Sequence, residues 1–394
     1  MNKHIAVFTG NRAEFGLLKP VIEALNKRST FKVSLIVSGA HVSHVFDASK
    51  NEIAQAGFNV ACEIELAKIT SCAASTPFAI GDGIQKFSHA LEKLQPDFLI
   101  VYADRYEGFA AVIAASQMSI PVAHMEGGDL TEGGALDDSV RHAMTKLSHL
   151  HFTTNEEAKN RVLKLGEEAW RVFNVGFSAI DTINKKLFYS KTEIQNEFNL
   201  DANQPIIVFT QHSVTTEYQK SKEQIQSALT ALQKVMAETN CKIFLTYPND
   251  DIGCEAIIEK IEEFAKKSEN TICLKSLGQK RYYGLLNLAK HDWKITCVGN
   301  SSSGIKETPA FNCPTVNIGT RQAGRLQASN VINTSYSPED IYQAIKQCLF
   351  DKTFIKSCQK IKNPYGTGNA GENIADILAN SFDKDQLLKK KMTY

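Results

Sequence analysis

The chain has 394 residues, a formal net charge of +1 and 43% hydrophobic residues. This length favours two or three domains, and the composition is typical of a globular protein rather than a disordered or fibrous one. The nearly neutral charge provides no long-range field that would attract nucleic acid or an anionic membrane. No apolar run approaches the roughly 20 residues that span a bilayer, and the amino terminus lacks the apolar core of a signal peptide. We therefore expect a cytoplasmic protein without nucleic-acid or membrane partners.

Cysteine and histidine spacing argues against a metal site. Nine cysteines are scattered singly with no C-x-x-C pair, which disfavours structural zinc and redox motifs. His124, His142, His149 and His151 match no common spacing of metal ligands, and we interpret His142 and His149 as ordinary helix residues. We expect no metal and no cofactor. The C-terminal sequence KDQLLKKKMTY is expected to be a solvated basic tail.

Short apolar runs alternate with helical patterns along the whole chain. The runs are HIAVF, VSLIV, DFLIVY, IPVAH, LHFTT and RVFNVG, then PIIVFT, KIFLTY, TICLK, WKITCVGN, PTVNIG and NVINT. Because parallel strands need crossover connections, this alternation predicts parallel sheets flanked by helices. The pattern occurs twice, which predicts an α/β protein with two doubly wound Rossmann-like domains that face a central cleft. We place the boundary near residues 178 to 190.

The loop TGNRAEFG follows the first predicted strand and opens a helix. Ligands of open parallel sheets bind at the carboxyl ends of strands, so such loops are the candidates for function. A glycine turn, helix N–H groups and Arg12 can together bind a phosphate. The alternative is a plain turn with a surface arginine.

Three carboxylates follow strands or begin the next helix in the first half. Asp104 follows DFLIVY, Glu126 follows IPVAH, and Asp137 or Asp138 starts the helix after HMEGGD. Carboxylates that converge on one site raise one another's pKa, which separates them into acids and bases for proton transfer. We therefore predict a proton-transfer site there.

The helix after HMEGGD is predicted from its apolar spacing. Val140, Met144, Leu147 and Leu150 recur at helical spacing and form one apolar face. Residues three and four apart are neighbours on a helix, so a second face carries polar groups. This polar face comprises Asp137 or Asp138, Arg141, Thr145 and Ser148.

The loop GNSSSGIKE in the second half follows the strand ITCV. Ser301, Ser302 and backbone amides can bind a diphosphate without net positive charge. Glu307 lies in the following helix, where a carboxylate suits the two hydroxyls of a ribose. The alternative is a helix-capping serine cluster with a solvated glutamate.

Two further loops of the second half carry histidine and arginine. His212 in QHSVTTE ends the strand PIIVFT. It is either a buried, hydrogen-bonded spacer or a cationic or donor imidazole that contacts a leaving diphosphate. GTRQAGR adds Arg321 and Arg325, for which the alternative is a pair of surface arginines on a mobile loop.

Eight motifs, in chain order, resemble the hydrolysing UDP-N-acetylglucosamine 2-epimerase family. The motifs are TGNRAEFGLLKP, ADRYE, HMEGGD, LDDSVRHAMTKLSHLHF, QHSVTTE, GNSSSGIKE, GTRQAGR and NPYGTGNA. The family includes the sialic-acid pathway epimerases and enzymes that act on UDP-diacetylbacillosamine. The resemblance runs from about Thr9 to Gly371, and LDDSVRHAMTKLSHLHF with GNSSSGIKE makes it specific.

The resemblance implies the fold of the B-type glycosyltransferases. Residues 1–180 would form an N-terminal Rossmann-like domain with the catalytic carboxylates, and residues 181–365 a C-terminal one that binds UDP. Residues 366–394 would form a helix that crosses back to the first domain, followed by the basic tail. The implied catalytic residues are Asp104, Glu126, Asp137 and His212, and the implied substrate contacts or positioning groups are Arg12, Asp138, Arg141, Ser301, Ser302, Glu307 and Arg321.

One position departs from the family pattern. The family usually has glycine before the first catalytic aspartate, and this chain has Ala103. The added methyl group either shifts Asp104 or is absorbed, the second if the residue needs no positive φ.

The resemblance further implies hydrolysis of a UDP-sugar with inversion at C2, by elimination of UDP and hydration of the resulting glycal. The substrate would be UDP-N-acetylglucosamine or UDP-2,4-diacetamido-2,4,6-trideoxyglucose, the products UDP and a free mannosamine-type sugar, and the pathway sialic- or legionaminic-acid biosynthesis. A homodimer or homotetramer is expected. The alternatives are a non-hydrolysing epimerase, a B-type glycosyltransferase and a sugar-nucleotide binding protein without activity. LDDSVRH and the lack of an acceptor-binding insertion favour hydrolysis.

Overall fold

The chain folds into two compact units in the computed structural model, which describes residues 2–42, 53, 54, 56–69, 72, 74–131, 136–249 and 251–394. Unit 1 comprises Met1–Asp129, Leu136–Thr182 and Tyr365–Tyr394. Unit 2 comprises Leu130–Ala135 and Ile183–Pro364.

Unit 1 contains a seven-stranded parallel sheet with the order β3-β2-β1-β4-β5-β6-β7. Its strands are β1 (Lys3–Thr9), β2 (Phe31–Ser38), β3 (Val60–Ile64), β4 (Phe98–Tyr102), β5 (Val122–Met125), β6 (Leu150–Thr153) and β7 (Val172–Asn174). Its helices are α1 (Arg12–Asn26), α2 (Ser75–Leu94), α3 (Tyr106–Gln117), α4 (Leu136–Leu147), α5 (Glu156–Lys164) and α6 (Ala179–Asn184), with α14 (Ala370–Ala379) and α15 (Lys384–Leu388) from the end of the chain.

Unit 2 contains a six-stranded parallel sheet with the order β10-β9-β8-β11-β12-β13. Its strands are β8 (Ile206–Thr210), β9 (Lys242–Thr246), β10 (Thr271–Leu274), β11 (Ile295–Gly299), β12 (Thr315–Ile318) and β13 (Val331–Thr334). Its helices are α7 (Lys191–Phe198), α8 (Ser221–Thr239), α9 (Cys254–Ala265), α10 (Gly278–Asn287), α11 (Ser303–Lys306), α12 (Pro338–Phe350) and α13 (Lys352–Cys358). The predicted pair of parallel-sheet α/β domains is confirmed.

Continuous apolar runs explain why these segments form inner strands. All five residues of β4, FLIVY, are buried, as are six of the seven in β1. A strand covered by helices on both faces reads as an unbroken apolar run, which made these strands predictable. β3 escaped prediction because it is an edge strand whose first two residues are exposed. Leu150 was included both in the helical spacing and in the predicted strand LHFTT. It begins β6, since α4 ends at Leu147.

Each sheet has one point where the strand order reverses. It lies between β1 and β4 in unit 1 and between β8 and β11 in unit 2. The loops that follow the two central strands diverge there and leave a crevice at the carboxyl ends, which is where ligands of this fold class bind. These four loops carry Arg12, Asp104, His212 and Ser301. Within the described residues, no helix is long and apolar enough to cross a membrane.

Candidate active site

Arg141 gathers two carboxylates at the strand ends of unit 1. Its side chain, 2% exposed, is ion-paired with Asp104, which follows β4, and donates to Oδ1 of Asp138 at 3.0 Å. The same guanidinium donates to the backbone oxygen of Asp129 at 2.6 Å. A planar guanidinium with several fixed donors suits this multiple contact. Asp104, Asp138 and Arg141 therefore form one cluster.

Several polar residues of α4 are buried. Asp138, Arg141 and Thr145 are buried, as is Ser148 directly after the helix, whereas Asp137 is exposed in the first turn. The two neighbouring aspartates thus differ: Asp138 is committed to Arg141, and Asp137 faces solvent within unit 1. Residues 132–135, the glycine-rich part of the preceding segment, lie outside the described residues.

Two adjacent strand ends in unit 1 have left-handed backbone conformations. Ala103, after β4, has φ +54°, and Glu126, after β5, has φ +62°. Position 103 therefore does adopt a positive φ, so the methyl group of Ala103 is accommodated in a conformation that favours glycine. A non-glycine residue held there indicates local strain, which tends to occur at functional sites. Glu126 is 6% exposed and lines a small pocket with Tyr102, Phe152 and Phe177.

His124 supports the turn that carries Asp104. Its Nε2 lies 2.7 Å from the backbone oxygen of Ala103 and its Nδ1 lies 3.2 Å from the hydroxyl oxygen of Thr145. A carbonyl oxygen only accepts, so Nε2 carries the proton and donates. Burial lowers the pKa of His124 to about 3, which keeps the ring neutral. His124 therefore links β4, β5 and α4, a role that its place in the sequence did not reveal.

Arg12 and Glu14 lie at the start of α1. Arg12 is exposed in the first turn, after the N-cap Asn11. Glu14 is 4% exposed and accepts the Gly10 N–H at 2.8 Å, so this amide is not available to an anion. Burial raises the pKa of Glu14 to about 8.

The second buried carboxylate near this turn is Glu107. It is fully buried and accepts two hydrogen bonds from Arg105, at 2.8 and 3.1 Å. Glu107 also lies close to Glu14. Both side chains border Gly10, where an added Cβ would be 3.4 Å from Glu14 and 3.6 Å from Glu107. This pair could not be predicted from the sequence, because the proximity of Glu14 and Glu107 depends on the spatial adjacency of β1 and β4.

In unit 2, Asn300 joins the two loops at the point of strand reversal. Its side-chain oxygen accepts the backbone N–H of His212 at 2.7 Å, and its side-chain nitrogen donates to the backbone carbonyl of His212 at 2.9 Å. The Asn300 carbonyl accepts from Gln322 at 2.9 Å and from Arg321 at 3.2 Å. Asn300 was not singled out from the sequence, although an amide side chain directly after a strand was the available signal.

The protonation of His212 follows from its contacts. Nδ1 accepts the Asn249 N–H at 3.0 Å, so the neutral ring carries its proton on Nε2. Burial, with repulsion from Arg321, lowers the pKa of His212 well below its usual value. Of the two functional alternatives considered, a donor imidazole fits this environment and a cationic one does not.

The serine loop is tied to Glu307 through Ser303. Ser303 donates to Glu307 at 2.6 Å, and its hydroxyl oxygen lies 2.7 Å from the Tyr282 hydroxyl. Ser302, at the N-cap of α11, makes no side-chain capping bond. The Ser301 hydroxyl accepts the backbone N–H of Ser303 at 3.4 Å, so Ser301 caps the turn, whereas the Ser303 hydroxyl holds Glu307, which is therefore not merely solvated.

Arg321 and Arg325 are both engaged within unit 2. Besides the Arg321 contact with Asn300, Arg325 donates to the carbonyl of Leu130 and, at 2.9 Å, to the hydroxyl of Thr131. Both arginines are partly exposed and hydrogen-bonded to the backbone or to a side chain of unit 2. In the described residues, no group of three potential ligands could hold a metal ion.

Comparison with known proteins places the chain in a family. The sequence model for UDP-N-acetylglucosamine 2-epimerase matches residues 23–379. The chain is 32% identical to the hydrolysing GDP/UDP-N,N'-diacetylbacillosamine 2-epimerase of Campylobacter jejuni, over 88% of this chain and 87% of that protein. It is also 32% identical to the hydrolysing UDP-N,N'-diacetylbacillosamine 2-epimerase of Legionella pneumophila over the full length of both.

Solved structures share the fold. The UDP-GlcNAc 2-epimerase of Neisseria meningitidis bound to UDP-GlcNAc superposes with a TM-score of 0.81 at 20% identity, over 95% of this chain and 99% of that one. Since the family model spans most of the sequence, this chain belongs to the UDP-N-acetylglucosamine 2-epimerase family.

Proposed function

We propose that this chain is a hydrolysing UDP-sugar 2-epimerase, which converts a UDP-N-acetylglucosamine-type sugar and water to UDP and the free C2 epimer. Family membership supports the 2-epimerase chemistry, and relatives at 32% identity carry hydrolysing names. In this proposal unit 1 supplies the groups that move protons, and unit 2 binds the UDP moiety.

The single observation that carries the proposal is the cluster at the ends of β4 and β5. Asp104 is paired with Arg141, and Glu126 follows the neighbouring strand in a strained turn. β4 and β5 are paired with Tyr102 opposite Met125, so both carboxylates leave the sheet at the same edge. Two carboxylates and a guanidinium at one strand edge can remove a proton and return another.

The first step of the proposed mechanism is elimination. The C2 proton of the sugar is not acidic in the ground state, so a base alone cannot remove it. When the C1–O bond to UDP breaks, the electron pair leaves with the diphosphate, C1 gains oxocarbenium character and the C2–H becomes acidic. A carboxylate of Asp104, Glu126 or Asp137 takes that proton, which leaves a 2-acetamidoglucal and UDP.

The second step is hydration of the glycal. A carboxylate takes one proton from water, whose hydroxyl group adds to C1. A protonated carboxyl group delivers a proton to C2 on the face opposite to the one from which the first proton was removed. This gives the free sugar with inverted C2 configuration. General acid–base groups contribute about 10² to 10⁴ in rate. We therefore expect neutralisation of any one of the three carboxylates to lower the turnover rate by a factor of that order.

The groups of unit 2 suit the leaving diphosphate and the ribose. His212, with its proton on Nε2, and the hydroxyls of Ser301 and Ser302 are neutral donors, and Arg321 adds positive charge. Donors fixed before the reaction stabilise developing charge without reorganisation. Glu307, held by Ser303, is assigned to the ribose hydroxyls, and Arg12 of unit 1 to the diphosphate.

The pathway and the sugar belong to the same proposal. One relative, at 30% identity over all of this chain and 96% of its own length, is the polysialic acid biosynthesis protein P7 of Escherichia coli. Together with the diacetylbacillosamine epimerases, it supports a place in the synthesis of sialic-type acids. The proposed substrate is UDP-N-acetylglucosamine or UDP-2,4-diacetamido-2,4,6-trideoxyglucose. Comparison of kcat/KM for these two UDP-sugars decides between them.

Incubation with each UDP-sugar in heavy water tests the proposal. Hydrolysis gives free UDP and a mannosamine-type sugar with deuterium at C2. Return of a labelled UDP-sugar would indicate a non-hydrolysing epimerase. Binding without products would indicate a sugar-nucleotide binding protein, and either result would overturn the proposed reaction.

A further inference from the structure

Most residues of the C-terminal segment are exposed, as expected of a solvated tail, but Leu387 and Lys390 pack onto unit 1. Leu387, in α15, is 2% exposed and belongs to the hydrophobic core of unit 1. Arg171, whose side chain is fully buried, donates to the carbonyls of Leu387 at 2.7 Å and Gln386 at 2.8 Å. A buried guanidinium bound to chain carbonyls fixes the path of the backbone that leads to Lys390.

The ammonium group of Lys390 contacts the last turn of α4. Its side chain is 18% exposed, and Nζ donates to the carbonyls of Ser148 at 2.6 Å, Lys146 at 2.8 Å and Thr145 at 3.4 Å. The last carbonyls of a helix have no partner within the helix. A cation there satisfies them and is favoured by the helix dipole. Lys390 is thus a C-terminal cap supplied from more than 240 residues along the chain.

The charge of Lys390 is balanced by Glu167. The Glu167 side chain is fully buried and lies 2.7 Å from Lys390, 2.6 Å from Lys146 and 2.9 Å from His151. Burial alone would raise the pKa of Glu167, but hydrogen bonds from His151, Lys146 and Lys390 lower it to about 2. Glu167 is therefore ionised, and it holds the ammonium group in place.

The helix that Lys390 caps is the one that carries the Arg141 cluster. Arg141 and Asp138 lie about 1.7 and 2.5 turns before Leu147, the last residue of α4. Arg141 contacts both Asp138 and Asp104. Thr145, whose carbonyl faces Lys390, places its hydroxyl beside His124, which donates to Ala103. A shift of α4 along its axis would therefore displace both supports of Asp104, the ion pair with Arg141 and the contacts through Thr145 and His124.

We propose that Lys390 is a positioning residue that, in its protonated form, anchors the end of α4 and thereby fixes Asp104, Asp138 and Arg141 for proton transfer. This inference rests on the proposed epimerase function. Lys390 contacts no reacting group and acts only through the helix.

The protonation of Lys390 gives the inference a specific pH signature. Burial, opposed by Glu167, lowers the pKa of Lys390 to about 8. The charged and titratable groups that face it are Glu167, Lys146, Arg171, His124, His149 and His151. As pH rises through about 8, Lys390 loses its charge, and its ion pair with Glu167 is lost. We expect kcat to fall on this alkaline limb.

Variants of the full-length chain test the role by kinetics. Lys390→Arg keeps a cation that does not titrate in this range, so kcat near pH 7 should stay within about threefold of the wild type and the alkaline limb should move up by about one pH unit or more. Lys390→Met should lower kcat about tenfold with little change in KM, since an anchoring role moves the rate rather than substrate affinity. Lys391→Met, at an exposed neighbour, is the matched control and should change neither.

An unmoved alkaline limb in Lys390→Arg, or equal kcat in Lys390→Met and Lys391→Met, would overturn the inference. If the wild type releases no UDP, the proposed function fails, and the role of Lys390 is decided separately by hydrogen exchange. Lys390→Met should then increase exchange of the α4 amides several-fold relative to Lys391→Met. Equal protection in the two variants would refute the anchor even without any activity.

Discussion

The strand-end loops of unit 1 and unit 2 carry different kinds of polar groups. In unit 1 they hold ion pairs with one fully buried member each, namely Arg141 with Asp104 and Glu107 with Arg105. In unit 2 the corresponding loops present mainly neutral hydrogen-bonding groups, with His212 joined to Asn300. Paired charges suit the movement of protons, whereas fixed neutral donors suit an anionic leaving group. The same fold thus carries two kinds of site.

The two units also differ in the residues that adopt a positive φ at their strand ends. Unit 1 ends β4 and β5 with Ala103 and Glu126 at positive φ, where side chains are strained. Unit 2 ends β11 with Gly299 at φ +131°, and a Cβ there would lie 1.9 Å from the Thr210 carbonyl oxygen. The glycine of unit 2 is required by space, while the strain in unit 1 is tolerated next to its carboxylates.

The largest expected effect separates catalysis from UDP binding. Glu126→Gln keeps the shape of the side chain and removes its ability to exchange a proton. If Glu126 is one of the proton-transfer groups, kcat for UDP release should fall by about 10² to 10⁴. Affinity for UDP, measured by calorimetry, should stay within about twofold of the wild type, because unit 2 is assigned to the nucleotide.

Glu157→Gln provides the control for this variant, since Glu157 is an exposed residue of α5. It should leave both quantities unchanged. A Glu126→Gln enzyme with most of its turnover would remove Glu126 from the mechanism. A loss of UDP affinity equal to the loss of rate would show that the division between the units is wrong.

The next effect concerns the charge balance at the β1 and β4 ends. Arg105 is committed to Glu107, and within the described residues Oε1 of Glu14 has no hydrogen-bond partner. Burial raises the pKa of Glu14 from 4.5 to about 8, opposed by the Gly10 N–H and Arg105 and reinforced by Glu107. The protonated form is therefore favoured by folding. Its contribution to stability is complete below about pH 4.5 and is lost as pH rises through about 8.

Glu14→Gln keeps the acceptor for Gly10 and removes the titration. The Tm of the variant minus that of the wild type should increase by several degrees between pH 5 and pH 9. Lys390 and Glu167 titrate in both proteins, so their contributions cancel in this difference. A difference that does not vary with pH would mean that Glu14 is ionised throughout and that unit 1 tolerates an unpaired buried charge.

The residues that could be predicted from sequence are those whose position follows from a strand end. Asp104, Glu126 and His212 each follow an apolar run, and the rule for parallel sheets places them at the carboxyl edge. β3 was missed because an exposed edge strand lacks the apolar run. The conformation at position 103 could not be seen, since alanine gives no sign of a positive φ.

Contacts across long sequence separations were the other omission. Lys390 lies in a run of three lysines, which normally indicates a solvated surface, and its partners Ser148 and Glu167 are more than 220 residues away. The Glu14 and Glu107 pair depends on the order of strands in the sheet, which alternation alone does not determine. Both cases involve burial of charge, whose compensation is visible only in three dimensions.

A smaller effect is expected in unit 2 at the support of Glu307. Ser303→Ala removes the hydroxyl that donates to Glu307 at 2.6 Å. If Glu307 binds the ribose, a less fixed carboxylate should weaken UDP binding about tenfold, which corresponds to about 1.4 kcal/mol. Calorimetric titration with UDP measures this. Ser357→Ala, at an exposed position in α13, should bind UDP like the wild type.

The kinetic consequence of Ser303→Ala distinguishes the two units again. Its kcat at saturating substrate should fall much less than that of Glu126→Gln, because the carboxylates of unit 1 are untouched. An unchanged UDP affinity would show that Ser303 does not hold Glu307 for the nucleotide. A loss of kcat as large as that of Glu126→Gln would instead place the Ser303 network in the chemistry.

The smallest effect tests whether the strained backbone of unit 1 is a net cost. Ala103→Gly should relieve about 1 to 2 kcal/mol of left-handed strain and lose about 0.8 kcal/mol of methyl burial. The net gain should be about 0.5 kcal/mol, or about 1 to 2 °C in Tm. Ala110→Gly, in the interior of α3, should instead destabilise by about 2 kcal/mol, because glycine is unfavourable in a helix and a buried methyl group is lost. Opposite signs for one substitution at two buried alanines would isolate the φ of Ala103 as the cause, and a destabilised Ala103→Gly would mean that the packing of its methyl group outweighs the strain.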